Sequence, residues 1–153
     1  MCSLDDPWVY GEENSSILGR IREYTRRIES QLDKLRRVEG GLERMLDHLR
    51  ERLRRLTRTA RELRELKYDP GEILRETMLV SELINITSLS LEVVRFHIEY
   101  LESERELLVS SLGILERMDE PKLSKLVRMI NTCTIPIRLI PTAVNILHLA
   151  GYL

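Results

Sequence analysis

The stretch that decides the fold runs from Ile17 to Leu66, ILGRIREYTRRIESQLDKLRRVEGGLERMLDHLRERLRRLTRTARELREL. Its apolar positions fall at Ile17, Ile21, Tyr24, Ile28, Leu32, Leu35, Val38, Leu42, Met45, Leu49, Leu53, Leu56, Ala60, Leu63 and Leu66, fourteen steps across 49 residues. The resulting period of 3.5 is that of a coiled-coil seam. Asn14, Ser15 or Ser16 can cap its start by accepting from the free N–H groups of the first turn. Gly40-Gly41 interrupts the stretch, at a cost of about 1 kcal/mol per glycine against alanine in a helix interior. The seam keeps phase across the pair, which a loop has no reason to do, so one helix of about 50 residues is expected, with a possible bend at the glycines.

Outward from this helix, Tyr68-Asp69-Pro70-Gly71 reads as a turn. A second helix is then expected from Glu72 to Met118, with its seam at Val80, Ile84, Thr87, Leu91, Val94, Ile98, Leu101, Leu108, Leu112 and Leu115. This helix carries more apolar residues than one partner requires: Leu83, Ile86, Leu89, Val93, Phe96 and Leu107 lie off the seam. Either the C-terminal helices of the chain or another subunit should pack on that wider stripe. Asp119-Glu120-Pro121 combines an N-cap residue with a first-turn proline and predicts a short helix to about Asn131. Pro136 and Pro141 break the chain, and a last helix near Thr142 to Ala150 should stop at Gly151. The expected fold is therefore all-α. It comprises a flexible or loosely docked segment around Trp8 (1–14), a long antiparallel hairpin (15–118, turn near 68–71) and short C-terminal helices (119–153).

Composition agrees with this reading. Apolar residues make up 42% of the 153, enough for a packed structure, while aromatics at 5% and charged residues at 32% favour long exposed helices over strands. Cys2 and Cys133 form neither a close pair nor a metal spacing, which predicts reduced thiols in a cytosolic protein. The N-terminus lacks the basic and apolar regions of a secretion signal, and no window of about 18 residues is uninterruptedly apolar, so a soluble protein without a membrane span is expected.

Charge is partitioned along the hairpin. Arg20 to Lys67 holds 16 cations and 9 anions, whereas Asp69 to Asp119 holds 4 cations and 11 anions. A basic arm thus folds against an acidic arm, within one molecule or between neighbours. Arg50, Arg54, Arg58 and Arg61 share one helical face at spacings of three and four. Such a face suits an anionic membrane or nucleic acid phosphates, or is simply solvated and balanced by glutamates of the second helix. The lack of interleaved aromatics argues against single-stranded nucleic acid.

No catalytic or metal-binding motif is present. His48, His97 and His148 stand about fifty residues apart, one per expected helix, and read as ordinary helix residues. There is no HExxH, CxxC, nucleophile elbow or phosphate loop, and the carboxylates Glu92, Glu99, Glu102 and Glu106 lack the Glu-x-x-His spacing of di-iron bundles. A non-enzyme without cofactor or metal is expected.

The stretch Ser88 to Ser103, SLSLEVVRFHIEYLES, resembles the second long helix of archaeal ESCRT-III-like proteins, in which a Leu-Glu-x-Val run is followed by an Arg-x-Glu step. Leu91, Glu92, Val94 and Glu99 match that pattern, and His97 stands where the arginine would be. A basic first helix, a hairpin turn, an acidic second helix and proline-broken short helices extend the resemblance over roughly Ile17 to Asn145. It implies a non-catalytic cytoplasmic subunit, peripheral at the membrane, that forms filaments for membrane remodelling or cell division. Its partners would be itself, an anionic membrane, related subunits and a partner ATPase. The alternatives are an oligomeric coiled-coil adaptor for a protein partner and a helical nucleic-acid-binding protein.

Overall fold

The computed structural model describes residues 12–153, with side chains from Ile17 onward; the segment around Trp8 and Cys2 lies outside the described residues. Among these residues the secondary structure is entirely helical: α1 Glu12–Glu65, α2 Gly71–Glu116, α3 Glu120–Thr132, a 3-10 turn Ile137–Leu139 and α4 Ile140–Leu149. The two long helices pack on each other as the expected hairpin, and Gly40-Gly41 lies inside α1. Residues 14–16 also lie inside α1, so they do not cap it.

Three helices end alike. At the end of α1, the Tyr68 N–H donates to the Leu63 carbonyl at 2.9 Å and the Lys67 N–H to the Arg64 carbonyl at 3.1 Å, with Lys67 at φ +60°. Thr134 at φ +53° closes α3 in the same way, and Gly151 at φ +80° closes α4. This pattern satisfies carbonyls that have no partner within the helix, and it requires a left-handed residue just beyond the last turn. The α1–α2 turn is set by Asp69, whose carboxylate accepts from the Gly71 N–H at 3.0 Å. At the start of α3, Asp119 accepts from the Lys122 N–H at 3.0 Å, with Pro121 in the first turn. Pro141 occupies the first turn of α4 and does not break the chain, because the N–H it lacks is one that a first turn leaves unbonded anyway.

The chain divides into two compact units. Among the described residues, one joins 12–32 with Tyr100–Leu153; the other is Asp33–Glu99. In the first, Ile21 and Leu32 of α1, Leu108 and Leu115 of α2, Leu126 and Val127 of α3, and Ile140 and Val144 of α4 form a fully buried core. In the second, Leu49, Leu56 and Val80 form the buried cluster, flanked by Leu53, Ile73 and Ile84.

Every residue expected in the α2 seam is buried or half-buried. The α1 seam differs in its middle. Val38 and Met45 are about half exposed, whereas Leu46 is buried and Glu39 half-buried. The inward line therefore reads Leu35, Glu39, Leu42, Leu46 and Leu49, still in steps of four and three. A charged residue holds the slot that periodicity had given to Val38, and it does so because Arg95 of α2 meets it there.

Candidate functional site

The feature of the Asp33–Glu99 unit that its own packing does not account for is the outward face of α2. Leu79, Leu83, Ile86, Leu89, Val93 and Phe96 follow one another at spacings of four, three, three, four and three residues, and all are exposed, Leu89 at 62% and Phe96 at 71%. The inward seam of the same helix, Val80, Ile84, Thr87, Leu91, Val94 and Ile98, also advances in steps of three and four and is buried or half-buried. Thus α2 carries two seams on opposite faces, and α1 fills only one. Monomeric proteins rarely leave a contiguous apolar surface of this kind in water.

Leu107 was expected on this same stripe, and its environment is different. It belongs to the other unit, where α4 lies against α2: the Asn145 amide donates to the Leu107 carbonyl at 3.4 Å, and the Ser110 hydroxyl is bonded to the Asn145 side chain at 2.9 Å. Leu107 and Ile114, one and two heptads along from Tyr100, are half-buried there, whereas Leu79, Ile86 and Val93 at the same heptad position are bare. The structure thus divides the stripe between a part covered by the chain itself and a part that is open.

The motif-like residues also divide. Leu91 is buried and Val94 half-buried, both in the inward seam, so packing in the hairpin accounts for their type. Glu92 and His97 are exposed beside the outward seam, and Glu99 is exposed as well.

Arg50, Arg54, Arg58 and Arg61 are all exposed. Arg54 pairs with Glu51 within α1 at 2.8 Å, and among the described residues Arg50, Arg58 and Arg61 make no ion pair. Between the helices, Arg52 meets Glu76, and Arg95 meets Glu39 at 3.3 Å and Glu43 at 2.7 Å. The Glu43 bond foremost, then Glu39, raises the Arg95 pKa above its ordinary value. The glutamates of α2 therefore do not neutralise the four-arginine face.

In the unit formed with the C-terminal helices, a surface cavity of about 390 Å³ is lined by Tyr24, Tyr100, Glu104, Arg138 and Thr142, among others. The Tyr24 hydroxyl donates to Glu104 Oε1 at 2.5 Å; burial, then this bond, pushes its pKa up to about 12. Held neutral in this way, the Tyr24 phenol is not itself poised as a nucleophile or base at neutral pH. Among the described residues no group of three or more His, Cys, Asp or Glu side chains could hold a metal ion.

By length and composition alone α2 is long and apolar enough to cross a membrane. Its two seams explain that composition, and the arginines of α1 packed alongside it would be costly in a bilayer.

No family model, no curated protein and no solved structure matches the chain.

Proposed function

We propose that this protein is an assembly subunit without chemistry of its own, a helical hairpin that docks a further helix on the outward seam of α2. The observation that carries this reading is the second seam of three- and four-residue steps, Leu79 to Phe96, left bare on the same helix as a seam of similar spacing that is filled. Burying each large apolar side chain of such a seam contributes roughly 1.5–3 kcal/mol, so a partner helix has a strong driving force to seat there. The test is to place a photo-crosslinking benzoylphenylalanine at Phe96 and irradiate the protein in its native cells, with the same probe at Arg58 as control. A polypeptide adduct at Phe96, mapped to an apolar helical stripe, supports the reading. Labelling by lipid alone, or no adduct, contradicts it.

A second reading is favoured by the unpaired arginines. Arg50, Arg58 and Arg61, with Arg54, suit an anionic membrane surface, each contributing on the order of 1 kcal/mol near it. In that reading the hairpin works as ESCRT-III-like filament subunits do, at the cytoplasmic face of a membrane, with related subunits and a partner ATPase. Replacing all four with serine should then release the protein from vesicles rich in anionic lipid and leave its helicity intact. Retained binding would end this reading, and salt-sensitive retardation of DNA lost in the same variant would point to nucleic acid instead.

A further inference from the structure

We infer that the occupant of the bare seam is the same seam of a second copy of this chain, α2 against α2 in a two-fold pair; the inference rests on the helix-docking reading above. In heptad terms, Leu79, Ile86 and Val93 hold one core position, and Leu89 and Phe96 the other. Ile86 and Val93 at the first position and Leu89 at the second are the residue types that favour two-stranded pairing. The register has one acid, Glu82, toward its N-terminal end, and Leu83 beside it restores an apolar contact.

The flanks of the seam allow a copy to approach. Asn85, Ser88 and Ser90 border its middle and carry no charge. Glu92 and His97 are the exposed titratable groups nearest its C-terminal half. In a parallel, in-register pair, Glu92 of each copy falls beside His97 of the other, because a g position meets the following e position of the facing helix. Along the C-terminal half of the seam the flanking groups therefore meet as acceptor and donor, while Glu82 of each copy faces the other at the N-terminal end, a like-charge contact that weakens the pair.

Within the Asp33–Glu99 unit no other helix offers a mate for this seam: apart from Val38 and Met45, the exposed face of α1 between Asp33 and Glu65 is polar or charged. In the other unit α4 exposes Ile146 and Leu149, but at 10 residues it is too short to span Leu79 to Phe96. A two-fold pair also leaves no bare seam over, since each copy covers the seam of the other and the assembly closes. Six large apolar residues a side form a small interface, at or below the ~1,200 Å² where weak and transient complexes lie, so dissociation constants of roughly 1–100 μM are expected.

The test is sedimentation equilibrium of the purified full chain from about 1 to 500 μM, compared with Val93→Asp/Phe96→Asp and with Arg58→Asp, which lies away from the seam. The parent and Arg58→Asp should pass from monomer to dimer across this range. The double variant should dissociate at least tenfold more readily, yet keep the circular dichroism and low-concentration melting of the parent, because both side chains are exposed in the single chain. A parent that stays monomeric throughout, or a dimer indifferent to the double substitution, overturns the inference. If the purified chain is monomeric while Phe96 cross-links to a different polypeptide in cells, the docking reading stands and the second copy is ruled out as occupant.

Discussion

Arg95 on α2 donates to Glu39 on α1 at 3.3 Å, and Glu39 occupies the inward slot between Leu35 and Leu42 that an apolar residue would ordinarily fill. Arg95 also bonds Glu43 at 2.7 Å, so it keeps an acidic partner when Glu39 is replaced. A polar pair in a coiled-coil seam fixes register at a cost in stability. Glu39→Leu should therefore raise the melting temperature, by about 0.5–1 kcal/mol of stability from added apolar burial. A clear drop in a thermal melt would show that the Arg95–Glu39 pair holds the hairpin together.

Gly40 and Gly41 sit in the interior of α1 with room for a methyl group. A Cβ on Gly41 would meet nothing within 4 Å, and one on Gly40 would meet only the end of the Arg44 side chain, at 3.5 Å. Each change to alanine should stabilise by about 1 kcal/mol in urea denaturation. Loss of stability would mean that these glycines need a conformation other than helix.

Lys67 and Thr134 hold left-handed conformations that disfavour side chains with a Cβ, and Thr134 is β-branched as well. Lys67→Gly and Thr134→Gly should each raise stability by about 1 kcal/mol, with Thr134 giving the larger gain. Gly151→Ala, at φ +80°, should act in the opposite direction. Chemical denaturation of the three variants checks both the sign and the order.

The inward seam of α2 was legible in full because Val80, Ile84, Thr87, Leu91, Val94, Ile98 and Leu101 keep unbroken steps of three and four. Periodicity alone places Val38 and Met45 in the seam of α1, and it cannot tell that Glu39 enters there to meet an arginine on another helix. Likewise nothing local distinguishes Leu107, which α4 covers, from Val93, which is bare; the difference lies in what packs opposite. The left-handed Lys67 and Thr134 gave no signal, because neither is glycine or asparagine. The arginine face was legible as a face, and whether α2 neutralises it was not.

Tyr24 supplies a pH signature. Its neutral phenol is the form that burial and Glu104 favour, with a pKa of about 12 against the ordinary 10.0. The folded-state pKa is raised, so this stabilisation is present below pH 10 and is lost as pH rises toward 12. In a spectrophotometric tyrosinate titration, the difference between the parent and Tyr24→Phe should appear as a phenol ionising well after the exposed tyrosines. A difference centred near pH 10 would show that the Glu104 bond does not persist in solution.

The central claim is that α2 has two seams, one filled by α1 and one open. Leu91 and Leu89 stand two residues apart on these opposite faces, 5% and 62% exposed. The most direct measurement is urea unfolding of Leu91→Ala and Leu89→Ala at protein concentrations below about 1 μM, where association through so small an interface is negligible. Leu91→Ala should cost about 2–4 kcal/mol through the cavity it leaves, and Leu89→Ala should stay within about 0.5 kcal/mol of the parent. Equal losses at the two positions would contradict the account, because they would mean that the outward face is already covered within the single chain.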